Sequence, residues 1–400
     1  MPMRTNSNKK IHKRKRDPYQ TLLKTTGILA VVAALSVSVL LLCDVFVRND
    51  YESRKVAVEK ENSEAEQEFN ATMNTLRSSN SKTSAAAVVG NVPRGEVLYW
   101  EKALGEVLWR IEDEGYTELE NTSDKTVDRS ALLKGGLLLV NAWHALPGDF
   151  TDSDLVGIGL TSGYKIQVRN NSARLSPNAY DALALMLEDA EKEGLKDFMI
   201  WEAYRTNDEQ TALFNTEMER LSKDYSGDIL IEQTKKTINY PGTSEFQSGF
   251  SFRLGLYNKA DPQVRNQKLF ETPQGKWVLN NCWKYGIIFR FPTADFPTPE
   301  WEDKSYKTRV STQLSLFRYV GKAHAAAMRV LDYCLEEYVE FLMDHPHICV
   351  YEAGQIKYEI FRIPMEADSS SYELPVPNPA SDYQASLDNM GGVVMAYLYN

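Results

Sequence analysis

Side chains that bind metal ions are sparse in this chain, which has five histidines and four cysteines among 400 residues. One stretch brings them together, with His345, His347 and Cys349 close in sequence. Imidazole and thiolate both bind zinc, so this stretch is compatible with a metal site. A four-ligand site needs more partners than the stretch supplies, and two histidines across a proline are typical of a loop that ends a helix. His144 and His324 stand alone and are interpreted as structural.

A second stretch, Pro241–Arg253, reads PGTSEFQSGFSFR. It resembles the P-G-x-S-E-H-Q-x-G-x-x-x-D segment of the VanY-type zinc D-alanyl-D-alanine carboxypeptidases. The resemblance extends over residues 135–345 and into the tail, because other blocks follow the family's order: Leu139–Pro147, Glu202–Thr206, Trp283–Pro292, Phe317–Gly321 and Ala385–Gly392. Several blocks in one order are hard to obtain by chance. The chain is therefore identified as a member of this family.

The resemblance implies a zinc site for which this chain lacks the residues. In the family, two histidines and one aspartate bind zinc, and a glutamate acts as general base on the zinc-bound water. The corresponding positions hold Phe246, Leu316 and Arg253 for the ligands and Gln313 for the base. Phenylalanine and leucine have no lone pair, and arginine has only donors. We therefore expect no zinc cofactor here, no catalytic residue and no hydrolysis by this route.

The substrate side of the family's pocket is retained. The resemblance implies that substrate is bound by Tyr204, Arg205, Gln210 and Ser244, and Arg253 is added as a further candidate on the charge argument below. An arginine suits a terminal carboxylate, because its guanidinium can donate two parallel hydrogen bonds. The alternative is that Arg205 only braces Glu245 or another acid in a structural ion pair.

Arg253 leads to a separate hypothesis about charge. Zinc with two neutral histidines and one aspartate carries a net charge of about +1. With arginine at position 253 and apolar residues at the other two ligand positions, the net charge is again about +1. Arg253 would then replace the charge of the metal and pair with Gln313, with Glu245 or with a peptide carboxylate. The alternative is that its side chain turns to solvent.

The N-terminus predicts attachment to a membrane. Residues 1–24 have eight basic residues and one acid, a net of +7, which leaves −17 for the rest of a chain with a total of −10. A body so acidic is a poor candidate for nucleic acid. Residues 27–43 contain no charge, and residues 25–47 are long enough to span a bilayer. The preceding basic cluster predicts a cytoplasmic N-terminus and an extracytoplasmic C-terminal domain. The alternative is a cleaved signal peptide.

Residues 48–94 are interpreted as a stalk and flexible linker. The stalk either dimerises as a weak coiled coil or is a solvated single helix. A carboxypeptidase-like domain is predicted over residues 95–345, followed by a strand-rich extension over residues 346–400. Cys282, Cys334 and Cys349 are interpreted as free buried thiols, although one bridge is possible.

Helical and strand patterns are mixed without a regular βαβ order, which indicates the α+β class. The resemblance implies a hedgehog/VanY-like domain with a central antiparallel sheet. Helices are predicted from Ser176 to Gly194, from an Asn207 cap onward with Gln210 in the capping box, over Trp277–Tyr285, and as one long helix over Lys322–Met343. Strands are predicted over Leu137–Val140, Phe198–Trp201, Ile287–Phe291, Tyr358–Ile363 and Val393–Tyr399.

Three functions remain open from the sequence. The favoured one is a membrane-anchored, non-catalytic carboxypeptidase-like protein that binds peptidoglycan peptide stems or an envelope protein. The second is an active D,D-carboxypeptidase with relocated metal ligands. The third is an envelope scaffold in which the old pocket is filled and the stalk dimerises.

Overall fold

The computed structural model describes residues 98–399, apart from residues 116–118, 120, 160–164, 366–368, 379 and 381. The molecule separates into two units, and the larger, Glu66–Tyr225 with Leu230–Asn400, contains every described residue except Ser226–Ile229. The predicted cytoplasmic tail, membrane helix, stalk and linker lie outside the described residues and stay predictions. None of the helices in the described part is both long and apolar enough to cross a bilayer.

Helices and strands alternate irregularly along the described chain, in agreement with the predicted α+β class. The strands are β1 (Leu98–Leu104), β2 (Val107–Asp113), β3 (Thr122–Asp128), β4 (Val156–Gly157), β5 (Gln167–Val168), β6 (Arg174–Leu175), β7 (Phe198–Glu202), β8 (Ser251–Leu256), β9 (Ile287–Phe289), β10 (Leu316–Tyr319), β11 (His347–Glu352), β12 (Gln355–Pro364), β13 (Ser371–Pro377), β14 (Asp382–Leu387) and β15 (Gly392–Leu398). The α-helices are α1 (Arg129–Leu132), α2 (Pro177–Lys192), α3 (Asn207–Leu221), α4 (Gly227–Lys235), α5 (Pro273–Asn281), α6 (Ser305–Thr308), α7 (Lys322–Leu331) and α8 (Leu335–Asp344).

Two larger sheets organise these elements. One has five strands in the order β5-β7-β8-β10-β9, and only its β5–β7 pair is parallel. The other is antiparallel throughout, with six strands in the order β1-β2-β11-β12-β15-β14. The second sheet therefore joins residues 98–113 to the tail strands, across the boundary predicted between residues 345 and 346.

The core is divided between these sheets. Helix α2 packs near β9 and β10, and its buried face contributes Leu183, Met186 and Leu187 to the largest apolar cluster. Helices α7 and α8 supply a second cluster, together with inward residues of β11 such as Ile348 and Val350. Because alternate residues of a strand face opposite sides, the remaining residues of β11 project from the other face of the sheet.

Local sequence signals predicted several element ends correctly. Ser176 caps α2, where its hydroxyl accepts a hydrogen bond from the amide of Ala179, and Pro177 follows at the first helical position. Gly286 ends the helical stretch that begins at Pro273, because it adopts the left-handed conformation that glycine tolerates best. The predicted strands at Phe198, Ile287, Tyr358 and Val393 are also confirmed.

The strand predicted at Leu137–Val140 is wrong, although all four residues are buried. Within the described part of the chain, this run does not pair with a neighbouring strand. Its backbone is bonded instead by the Ser386 hydroxyl, by Arg318 and by the carbonyl of Asp388. A continuous apolar run signals burial but does not specify which groups bond the backbone.

Two helix predictions also need correction. The single helix predicted over Lys322–Met343 is two helices, α7 and α8, because Asp332 adopts a left-handed conformation and ends the first. The cap of α3 is Thr206, not Asn207, and Glu209 rather than Gln210 completes its capping box. Of the adjacent apolar residues of α3, Phe214 is buried, whereas Leu213 is exposed.

Candidate functional site

The structure brings together three of the four positions that correspond to the family's metal site. Phe246 lies in a 3-10 turn, Glu245–Gln247, that precedes β8. Leu316 begins β10 and lies directly opposite Arg253 of β8 in the antiparallel register. Residues opposite each other in such a pair project from the same face of the sheet. The side chains of Leu316 and Arg253 are therefore neighbours.

Apolar side chains fill the position that corresponds to the zinc site of the family. Phe246, Phe291 and Leu316 form a small buried cluster, and Val310 and Leu314 pack against it. Zinc needs nitrogen, sulfur or oxygen lone pairs, and none of these five side chains offers one. The residues present therefore do not fit the zinc ion of the family, and no step of a reaction is derived through it.

Gln313 lies at the edge of this cluster. Its side-chain amide donates to the carbonyl of Ala294 at 3.4 Å, and the residue is exposed. It does not pair with Arg253, so that part of the sequence hypothesis is wrong. An amide also lacks the basicity needed to take a proton from water.

Glu202, which the sequence analysis missed, links the two candidate arginines. It ends β7 and pairs in register with Arg253 of β8. One carboxylate oxygen accepts a hydrogen bond from Arg205, and the other lies 3.8 Å from the Arg253 guanidinium. The only signal in the sequence was a cross-strand charge pair, which is invisible until the register of β7 and β8 is known.

Arg205 is held from three sides. Besides its bond to Glu202, it donates to the side-chain oxygen of Gln210 at 2.5 Å, and its guanidinium lies 4.6 Å from the centre of the Phe246 ring. Its backbone amide donates to the carbonyl of Phe246. Gln210 is itself fixed, because its amide donates to the carbonyl of Asn239 at 2.6 Å. Arg205 therefore braces another acid, as the alternative interpretation proposed, but that acid is Glu202 rather than Glu245.

The remaining predicted substrate-binding residues are less accessible. Gln210 and Ser244 are buried, which places them in the wall of the site rather than at its surface. The Tyr204 ring lies under the guanidinium of Arg174. Burial and the neighbouring Asp152 carboxylate raise the pKa of the Tyr204 hydroxyl to about 12, so it is neutral and bonded to Asp152. Arg205 and Arg253 are thus the groups best placed to meet a ligand.

The accessible part of the site carries a net positive charge. Two guanidiniums, of Arg205 and Arg253, share the single carboxylate of Glu202, which leaves about +1. The side chains of Arg253 and Glu202 are 42% and 40% exposed, whereas that of Arg205 is 15% exposed. Arg253 therefore reaches solvent, as the alternative interpretation stated, and remains beside an acid. The arrangement suits an anionic group that approaches from solvent.

A buried ionic network supports the turn that carries Phe246. Glu245 accepts hydrogen bonds from Arg290 at 2.7 Å, from Arg318 at 2.6 Å and from the Ser251 hydroxyl at 2.7 Å. Arg290 also donates two hydrogen bonds to Glu336 of α8, at 2.7 and 2.8 Å. Two arginines and two glutamates balance in charge. Both carboxylate oxygens of Glu245 accept hydrogen bonds within this network, so the hypothesis that Glu245 pairs with Arg253 is also wrong.

The network is ionised despite its burial. Burial alone would raise the pKa of Glu245 and of Glu336. The guanidiniums of Arg318 and Arg290 instead lower the pKa of Glu245, and Arg290 with the Asn141 amide lowers the pKa of Glu336. Breaking such a pair leaves an uncompensated buried charge. The network therefore fixes the turn at Glu245–Gln247 relative to β9, β10 and α8.

The rest of the Pro241–Arg253 segment is also bonded into place. The side chain of Gln247 accepts a hydrogen bond from the amide of Gly242 and donates to Asn207 of α3. Gly249 has a positive φ of 75°, and a Cβ there would lie 2.7 Å from a methyl carbon of Leu155. The positive φ favours glycine at this position, and a larger residue would also displace the Leu155 methyl group. The loop is thus held tightly although its predicted metal ligands are replaced.

The histidine and cysteine tract divides into two parts. His345 bonds to Asp113 at 2.7 Å and lies against the Phe341 ring. His347 and Cys349 instead lie with Glu359, and the potential ligand atoms of these three are within 4.8 Å of one another. Cys282, Cys334 and Cys349 are all free and buried, as predicted.

Comparisons with known proteins agree with the resemblance seen in the sequence. Residues 172–321 match a family profile described as VanY, D-alanyl-D-alanine carboxypeptidase. The chain is 30% identical over 280 residues to a D-alanyl-D-alanine carboxypeptidase of Enterococcus faecium, a match that covers 69% of this chain and 79% of the relative. It is 28% identical over 147 residues to VanXYC of Enterococcus gallinarum, described as a bifunctional D-Ala-D-Ala dipeptidase and carboxypeptidase, covering 37% and 68% of the two chains.

Among solved structures, the fold is similar to that of the vancomycin resistance D,D-dipeptidase VanXYg, crystallised with a D-Ala-D-Ala phosphinate analogue. The TM-score is 0.53 at 23% identity, and the match covers 69% of this chain and 99% of that one. At this identity the likeness concerns the fold alone. The mixed helices and antiparallel sheets described above are therefore those of a VanY-like carboxypeptidase fold.

Proposed function

The chain belongs to the VanY family of D-alanyl-D-alanine carboxypeptidases, and from this premise we propose that it is a non-catalytic member that binds peptidoglycan peptide stems. Arg205 and Arg253 would receive the terminal carboxylate of the peptide. Glu202 would orient both guanidiniums, and the apolar cluster of Phe246, Phe291 and Leu316 would take the place of the metal. The family relationship connects the chain with peptidoglycan processing; the absence of catalysis is our proposal.

The observation that carries this proposal is the pair of arginines, Arg205 and Arg253, beside the apolar cluster that occupies the former metal position. A site for hydrolysis needs an activated water, and this one offers neither a metal ligand nor a base at the corresponding positions. A site for binding needs only a complementary charge and fixed donors. Arg205 is prearranged by Gln210 and Glu202, so little conformational freedom would be lost when a carboxylate binds.

We propose further that the binding domain lies outside the cell membrane. Residues 25–47 would form one membrane-spanning helix with residues 1–24 in the cytoplasm, and residues 48–94 would form the stalk. The substrates of related enzymes are cell-wall peptides, and a domain held outside the membrane would be able to reach them. Dimerisation through the stalk is a further part of this proposal.

Titration of the full-length chain with an acyl-D-Ala-D-Ala peptide tests the binding. We expect saturable binding without release of D-alanine. Arg205→Ala should weaken binding by about 10–100-fold, because a hydrogen bond to a charged group contributes roughly 1.5–3 kcal/mol. A peptide whose C-terminal carboxylate is replaced by an amide should bind the unaltered protein weakly. Its affinity should be about that of the carboxylate peptide for Arg205→Ala.

Arg220→Ala is the matched control. Arg220 also bonds to a glutamate three residues earlier, Glu217, but it lies on the exposed surface of α3. Its loss should leave peptide affinity unchanged. Equal affinity in Arg205→Ala, Arg253→Ala and the unaltered protein would overturn the carboxylate role, and no saturable binding at all would favour the scaffold. Release of D-alanine that persists in both arginine variants would instead support an enzyme with relocated ligands.

A further inference from the structure

Three potential metal ligands meet on the six-stranded sheet, whereas the peptide site lies on the five-stranded one. His347 and Cys349 are two residues apart in β11, so they project from the same face. Glu359 of β12 is the direct register partner of Cys349. One potential ligand atom from each residue lies within 4.8 Å of the others. Sequence spacing predicted His345 as the third member, but the register of the β11–β12 pair supplies Glu359 instead.

The chemistry of these three side chains is that of a zinc site. His347 Nε2 lies 2.8 Å from Glu359 Oε1, and the Tyr399 hydroxyl donates to the other oxygen of Glu359. Imidazole nitrogen, thiolate sulfur and carboxylate oxygen are the three donor types that zinc takes from proteins. A thiolate disfavours magnesium and calcium, which prefer oxygen ligands.

The surroundings of the thiol are acidic. Glu112 of β2 is the other register partner of Cys349, and the backbone amide of Glu114, two residues later, donates to the carbonyl of His347. The carboxylates of Glu359, Glu114 and Glu112 therefore surround the buried Cys349 thiol with negative charge. Arg110 contacts Glu112 at 2.9 Å and offsets one of these charges. A bound cation would offset the remainder and stabilise the thiolate.

The ligands are also held in place. His347 and Cys349 are both nearly inaccessible to solvent, and the side chain of Glu359 is 13% exposed. The backbones of β11 and β12 are fixed by register pairing on both sides of each strand. Metal ligands on neighbouring strands need only small side-chain adjustments to converge.

We propose that His347, Cys349 and Glu359 bind one zinc ion, with a fourth ligand that does not come from these three residues. Binding would release the thiol proton of Cys349 and link β11 to β12 at their side chains. This site is independent of the peptide site, because no residue is shared and the two lie on different sheets. Its role would be to stabilise the fold, since a ligand that binds only the folded state raises stability.

Cobalt titration of the full-length, chelator-stripped protein tests this site. Cobalt replaces zinc in such sites, and bonding to a thiolate gives an intense near-ultraviolet absorption. We expect this band to saturate at one equivalent and to disappear when zinc is added. Absence of the band in the unaltered protein would overturn the proposal, without any variant being needed.

Variants locate the metal. Cys349→Ser should abolish the band, and Glu359→Gln should weaken zinc binding by at least about 10–100-fold, the loss typical of even an outer partner of a metal ligand. Cys282→Ser is the matched control, because Cys282 is another free buried thiol. A band that survives Cys349→Ser, or is lost equally in Cys282→Ser, would contradict the assignment. Peptide binding, measured on the same samples, is expected to be unaffected in all three.

Discussion

At the scale of single residues, the buried His324 is a group whose protonation should differ between the folded and the unfolded protein. His324 of α7 is buried, and its Nδ1 lies 3.0 Å from the Tyr338 hydroxyl of α8. Burial lowers the pKa of His324 to about 3. The folded protein therefore keeps this imidazole neutral over a pH range in which the unfolded chain binds a proton.

The His324 side chain should make the protein less stable in mild acid. Its folded pKa is lower than its unfolded one, so its contribution is complete above about pH 6.5 and declines toward about pH 3. We expect the free energy of unfolding to fall over this range and to fall less steeply in His324→Gln. Urea unfolding at a series of pH values measures both slopes.

Tyr338→Phe is the control for this measurement. It removes the hydrogen-bond partner of the imidazole but not the titrating group, so it should lower stability without flattening the pH dependence. Identical pH slopes for His324→Gln and the unaltered protein would show that His324 titrates normally in the folded state.

At the scale of elements, the buried network of Glu245, Arg290, Arg318 and Glu336 joins the 3-10 turn to β9, β10 and α8. Each charge in it is compensated by a partner from another element. Glu336 has a second contact, because it accepts a hydrogen bond from the Asn141 side chain. The turn that carries Phe246 therefore depends on residues up to 91 positions away in sequence, from Glu245 to Glu336.

Glu336→Gln should destabilise the fold strongly. The change leaves the Arg290 guanidinium buried without its full compensating charge, a loss of about 3–5 kcal/mol in the free energy of unfolding. Glu188→Gln on α2 is the control. Glu188 lies 3.5 Å from Lys192, the two side chains are 49% and 62% exposed, and such exposed pairs contribute about 0–1 kcal/mol. Chemical unfolding of the two variants compares them, and similar losses would contradict a structural role of the network.

The features that could be predicted from the sequence are those determined by residues close together in the chain. The Ser176 cap, the Gly286 helix end and the family blocks could be identified because their signals are local. The roles of Glu202 and Glu359 could not, because each depends on which strand lies beside it. The break at Asp332 was missed for a different reason, since neither proline nor glycine marks it. Burial of Leu137–Val140 was predictable, whereas the bonding of its backbone was not.

At the scale of the whole molecule, charge is distributed unevenly along the sequence. The body after residue 24 has a net charge of −17, whereas residues 1–24, which precede an apolar run, have a net charge of +7. A phosphate-rich surface would repel this body and attract only the tail. The positive site around Arg205 and Arg253 therefore contrasts with the net negative charge of the chain after residue 24.

The apolar run at residues 25–47 should determine membrane attachment. The full-length chain is expected in the membrane fraction after an alkaline wash, and a chain that lacks residues 1–47 in the supernatant. Leu35→Arg should reduce insertion, because an arginine at a helix centre costs about 2.5–3.5 kcal/mol. A full-length chain that the wash releases would contradict the anchor, and a smaller mature chain would indicate cleavage of a signal peptide.

The direct pairing of Leu316 with Arg253 bears on how reversible this site is in evolution. Leu316→His alone would bury an unsatisfied polar ring among Phe246 and Phe291, a loss of roughly 1–3 kcal/mol. Arg253→Asp alone would set an acid opposite Glu202 across two strands, where like charges repel. Each ancestral residue is thus unfavourable until the others, and the metal, are restored with it. If the chain is non-catalytic, as we propose, restoring the zinc ligands one mutation at a time would have to pass through less stable proteins.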